Sequence, residues 1–136
     1  MPPDPRNLRF YADESILGVG KALAIVRRDV IYPGHPLLPE IPLGSLDPDW
    51  MPAVTARNLI VLGRDRRIRT KPAELAALRA HQLRVFWLSG KRDSTSWGYL
   101  VRLVSRWEGM ERIIATRGPG PWFMAIGDGT IAEIVV

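Results

Sequence analysis

With 136 residues, 46% of them hydrophobic and 24% charged, the chain has the size and balance of one globular domain, residues 1–136, too short for two independent cores. The absence of cysteine excludes a disulfide framework and thiolate metal sites, and no apolar run approaches the roughly 20 residues of a membrane span. The net charge of +5 rests on 19 basic residues, almost all arginine, whose planar fork suits phosphate; nucleic acid is therefore an expected partner, with a simple arginine-rich composition as the alternative.

The opening Met1-Pro2-Pro3-Asp4-Pro5-Arg6 lacks the apolar core of a secretory signal and reads as an extended arm, so the expected location is cytoplasmic, with no membrane partner. Leu8 to Ala12 alternates as a first strand, with Leu8, Phe10 and Ala12 on one face, and ends at Asp13-Glu14. Ser15 to Arg27 carries Ile16, Leu17, Val19, Leu23, Ala24 and Val26 at helical spacing, in spite of Gly18 and Gly20. Val30-Ile31-Tyr32 is a short second strand, stopped by Pro33-Gly34. Residues 33–48 hold five prolines and little periodicity, which predicts a long loop of the kind that is often functional or mobile.

Asp49 to Arg57 reads as a short helix entered near Asp47 or Asp49, with Trp50, Val54 and Met51 inward and Pro52 in the first turn. Leu59 to Leu62 is apolar throughout, as a strand covered on both faces would be. Thr70 is the expected N-cap of a helix from Lys71 to Gln82, with Leu75, Ala76 and Leu78 inward, and Arg84 to Leu88 is a fourth strand. Thr95 to about Ala115 has helical spacing with a potential break at Gly109; Trp122 to Ile126 and Thr130 to Val135 form a hairpin around Asp128-Gly129. Strands alternating with helices predict an α/β fold with a mainly parallel sheet, whose ligands bind beyond the carboxyl ends of the strands.

Asp13 and Asp65 fall at such ends, while Glu14, Asp47, Asp49 and Glu74 lie at adjoining helix starts. Carboxylates gathered in one crevice repel each other and call for a cation, and hard oxygen donors favour Mg²⁺ or Mn²⁺ over zinc. Such an ion activates water and stabilises charge on a phosphoryl group, and Arg64, Arg66, Arg67, Arg69 and Lys71 could hold a nucleic-acid backbone beside it. Each residue also has a plain structural role: Asp13, Glu14 and Asp49 as complements of helix N-termini, Asp65 as a turn residue, Glu74 as an exposed helix acid and the arginines as a solvated face.

Arg9-Phe10-Tyr11-Ala12-Asp13-Glu14-Ser15, then Leu46-Asp47-Pro48-Asp49-Trp50-Met51-Pro52, then Ile60-Val61-Leu62-Gly63-Arg64-Asp65-Arg66-Arg67-Ile68 with Lys71-Pro72-Ala73-Glu74, resemble the successive acidic blocks of PIN-like domains over about residues 9–90. The likeness is nearest to VapC-type toxins. It implies a three-layer α/β/α domain that cleaves RNA with Mg²⁺ or Mn²⁺ and is silenced by a cognate antitoxin protein. Block by block, it implies Asp13, Asp47 and Asp65 as catalytic, metal-holding positions, with Glu14, Asp49 and Glu74 as additional acids. The family's third block commonly has threonine where this chain has Gly63, a departure that leaves open a non-catalytic module binding nucleic acid or a partner protein. The apolar hairpin offers an edge for a homo-oligomer.

Other signals carry less. Gly18-Val19-Gly20-Lys21 departs from the phosphate-loop pattern at Ser15 and Ala22; His35 and His81 lack partner motifs; Asp128 is explained by its turn. The five tryptophans read as core anchors, with Trp122 also suited to an interface.

Overall fold

The computed structural model describes residues 7–64, 71–89 and 95–134. Its strands are β1 (Phe10–Ala12), β2 (Val30–Ile31), β3 (Ile60–Arg64), β4 (Arg84–Leu88), β5 (Trp122–Ile126) and β6 (Ile131–Glu133). They form one sheet in the order β2-β1-β3-β4-β5-β6, parallel from β2 to β5 and antiparallel only between β5 and β6. A 3₁₀ turn (Glu14–Ile16) runs into α1 (Leu17–Val26), and α2 (Asp47–Ala56), α3 (Pro72–Ala80) and α4 (Ser96–Arg117) complete the elements.

Side chains alternate across the pleat, so each central strand feeds two separate cores. On one face Tyr11, Val61, Val85, Trp87 and Phe123 pack with Trp50, Met51 and Val54 of α2 and Leu75 and Leu78 of α3. On the other, Phe10, Leu62, Phe86 and Met124 pack with Val19 and Leu23 of α1 and Tyr99, Leu103 and Met110 of α4. The result is the expected three-layer α/β/α arrangement with a C-terminal hairpin. Trp122 is buried, donates its indole N–H to the Gly118 carbonyl at 3.0 Å and meets Phe86 edge-on, as a core anchor does.

Several local expectations are corrected. Leu8 precedes β1 and joins Tyr11 on the α2/α3 face rather than Phe10 and Ala12 on the other. Helix α2 starts at Asp47, with Pro48 in its first turn, so Pro52 lies inside the helix on its exposed side. The N-cap of α3 is Lys71; Thr70 lies outside the described residues, and Ala76 is exposed because Leu75 and Leu78 define the inward stripe. Val26 and Trp97 are exposed as well.

Helix α4 is continuous through Gly109, capped where Thr95 Oγ1 accepts the Gly98 N–H at 3.1 Å. Gly109 admits the hairpin instead of breaking the helix: a Cβ there would stand 3.2 Å from Ile131 Cδ1. The hairpin turn closes with the Gly127 N–H on the Thr130 carbonyl at 2.9 Å. Residues 32–46 form the expected long loop, but Leu38 and Ile41 within it are fully buried in the α2/α3 core. No helix among the described residues is long and apolar enough to cross a membrane.

Candidate active site

The chain leaves β1 to build β2 on one side and then crosses to β3 on the other, making the β1/β3 boundary a topological switch point. Neighbouring connections diverge there and open a crevice beyond the strand ends. Asp13 follows β1 directly. Its carboxylate caps the 3₁₀ turn by accepting the Ser15 N–H at 2.9 Å, and the Ser15 hydroxyl also donates to Asp13 Oδ1. The same hydroxyl oxygen accepts the Arg64 N–H from the end of β3 at 3.0 Å, so one serine ties both sides of the switch point together.

Helix α2 brings Asp47 to this crevice. The Trp50 indole N–H donates to Asp47 Oδ1 at 2.8 Å, one turn along the helix, and the indole stacks on Tyr11 with centroids 5.5 Å apart. Asp47 is thus positioned by a side chain rooted in the core. Glu14 accepts the Gly44 N–H at 2.6 Å and ties the proline-rich loop to the cavity rim. Glu74, in the first turn of α3, stands 3.6 Å from the Lys71 ammonium. Asp13, Glu14, Asp47 and Glu74 line one cavity of about 250 Å³, with Arg64 and Lys71 as cations in its wall.

Tyr11 reports the field inside. Its phenol is pushed well above its usual pKa, first by burial and then by the charges of Asp13, Glu14 and Asp47. It therefore stays protonated and can only be a neutral donor or acceptor at physiological pH. Asp49 is exposed and lies outside the cavity wall, because a helix beginning at Asp47 turns the acid two residues on away from it. Asp65, Arg66, Arg67 and Arg69, named from the sequence, lie outside the described residues. Among the described residues no group of three or more His, Asp or Glu side chains stands close enough to hold an ion.

The donor set nonetheless suits a hard divalent cation. Mg²⁺ keeps several waters and is usually bound through one or two carboxylates plus substrate phosphates, not in a protein cage. Tyr11, Ser15 and Trp50 were not singled out from sequence as site residues. Ser15 and Trp50 sit beside acids in the first two blocks, but their hydrogen bonds become apparent only in three dimensions. His35 accepts the Leu37 N–H at 3.0 Å, packs edge-on against Tyr32 and has its pKa lowered by burial, so it has a local structural role. Gly18 and Gly20 both lie inside α1, not in a phosphate-binding loop.

A three-layer α/β/α domain with acids converging beyond its parallel strands defines the class, and a comparison with family models identifies the family. The PIN-like domain model matches residues 8–90, more than half of the 136-residue chain, and the chain belongs to that family. PIN-like domains have a nuclease-type fold. Comparisons with curated proteins and with solved structures return no match. The matched span covers β1 to β4; beyond it β5 and β6 complete the same sheet and α4 packs on one of its faces.

Proposed function

We propose that the chain is a Mg²⁺- or Mn²⁺-dependent endoribonuclease of the VapC-like kind, cytoplasmic, acting as the toxin of a toxin-antitoxin pair and silenced by a cognate antitoxin protein. The observation that carries the nuclease reading is the convergence of Asp13, Glu14, Asp47 and Glu74 on one cavity at the switch point of a PIN-like sheet. Asp13 and Asp47 would hold the ion together with Asp65, with Glu14 and Glu74 nearby. When bound, the ion supplies an activated water and stabilises charge on the phosphoryl group.

The chain's own groups do the rest. Ser15 and Trp50 fix the two acids, lowering the reorganisation needed when substrate enters. Arg64 and Lys71, with Arg66, Arg67 and Arg69 as further cations, hold backbone phosphates and orient the scissile bond. Tyr11 offers a neutral phenol that can hydrogen-bond in a region dense with negative charge.

Purified protein incubated with single-stranded RNA and Mn²⁺ or Mg²⁺ is expected to yield internal cleavage products, and Asp13→Asn to lower the rate at least about a hundredfold, the scale of losing a group that stabilises transition-state charge. Undiminished cleavage by that variant would reject the site. Metal-independent RNA binding without hydrolysis under either ion would instead favour the non-catalytic module.

A further inference from the structure

Gly63 occupies an interior position of β3, paired with Trp87 of β4, and its φ is not positive. Conformational freedom is therefore not what it supplies, although glycine inside a strand weakens it and often marks a close approach. The approaching group is Asp13. A Cβ at position 63 would stand 2.6 Å from Asp13 Oδ2, 3.1 Å from Cγ and 3.3 Å from Oδ1. From the other side, the Ser15 N–H and hydroxyl hold Oδ1, while the Ser15 oxygen accepts the N–H of Arg64, the residue next to Gly63.

We infer that Gly63 and Ser15 are a pair of positioning residues: Gly63 vacates the volume into which the Asp13 carboxylate fits, and Ser15 holds the carboxylate there while linking it to β3. The inference rests on the nuclease reading for its consequence and on local geometry for its substance. The missing side chain at 63 is thus part of how the acid is placed. A side chain restored there displaces the acid, because the carboxylate can rotate more readily than a paired strand can move.

Three variants test this. Gly63→Ala and Gly63→Thr are expected to fold, with Tm unchanged or modestly lowered, since an ordinary strand φ accepts both residues while the displaced Asp13 gives up its bonds from Ser15. Crystal structures of the metal-free variants are expected to show Asp13 rotated away from β3 and separated from Ser15. Calorimetric Mn²⁺ affinity is expected to fall about tenfold or more, the usual cost of losing a partner that orients a metal ligand. Ser15→Ala lowers affinity in the same direction, and Ser15→Thr restores it.

An unmoved Asp13 in Gly63→Ala, with Mn²⁺ affinity as in wild type, would overturn the inference. Failure of the nuclease reading has a different signature: wild-type protein cleaves no RNA. The position of Asp13 in the metal-free variants still decides the role of Gly63 and Ser15 in that case.

Discussion

The two ends of the parallel sheet treat charge in opposite ways. At the amino ends of the strands Arg9, Arg27 and Arg57 find counter-ions and Arg84 finds a carbonyl. Arg9 bonds Glu111 of α4 at 2.6 and 2.9 Å and approaches Asp29 at 3.4 Å, while Arg27 grips Asp29 at 2.8 and 2.9 Å and lies over the Trp107 ring. Arg57 meets Glu40 at 2.6 Å, and Arg84 donates to the Asn58 carbonyl at 2.9 Å. At the carboxyl ends four acids share one cavity, and the field of three of them reaches the buried phenol of Tyr11. One end is closed by pairing; the other concentrates like charge, which a folded protein tolerates where a cation or a substrate completes it.

The largest effect on this contrast is expected from Asp47→Asn, which leaves the hydrogen bond from Trp50 an acceptor but removes the charge. RNA cleavage should fall at least about a hundredfold while Tm holds or rises, because a repulsive neighbour is gone. Asp49→Asn, on the exposed side of the same turn, should leave cleavage at the wild-type rate, and equal losses in both variants would show that the helix start presents either acid. A smaller effect is expected from Trp50→Phe, which keeps an aromatic ring against Tyr11 and deletes the donor to Asp47. Cleavage should drop roughly tenfold, with Mn²⁺ affinity falling in parallel, as for loss of an orienting hydrogen bond.

The smallest belongs to the closed end. Arg9 holds the Glu111 carboxyl below its ordinary pKa by hydrogen bonding, against some burial. A depressed folded-state pKa contributes stability that is present above the unfolded value and lost as pH falls through the folded one. Glu111→Gln should therefore cost under about 1 kcal/mol at neutral pH, because the pair is partly solvent-exposed. That cost should start to fade in denaturant titrations run below the ordinary glutamate range and vanish below the depressed pKa of Glu111 itself, with RNA cleavage at neutral pH as in wild type. A cost that grew toward low pH would show that the pair is not what closes this end.

The sequence was most legible where chemistry is periodic. The span Arg84–Leu88 could be read to the residue because an apolar run buried on both faces has few alternative fates, and the hairpin followed from its Asp-Gly turn. Proline-rich segments were harder. Pro52 suggested a helix start two residues late, since its ring is usually confined to a first turn, whereas here it occupies the exposed side of an established helix. Leu38 and Ile41 follow no period and gave no sign of being fully buried.

At the site, the block pattern pointed to Asp13 and Asp47 and kept Asp49 as an additional acid, and the observed start of α2 separates the two by position. The bridge from Ser15 to Arg64 joins residues 49 apart, a distance that no local pattern reports. Gly63, read alone, looked like the loss of a useful hydroxyl. Beside Asp13 it is the room that the carboxylate occupies.

The same buried pair, Leu38 and Ile41, sets the character of the cavity mouth. Residues 32–46 are long enough to suggest a lid, and the Gly44 N–H contact with Glu14 brings that loop to the rim. Swinging it open would draw two fully buried side chains out of the α2/α3 core, at about 1.5–3 kcal/mol each. Fewer than about one molecule in a hundred would stand open at any instant on that cost. The loop is a wall held by the core, so the cavity keeps an entrance of nearly constant shape, and substitutions at Leu38 or Ile41, away from the cavity lining, should reshape that entrance.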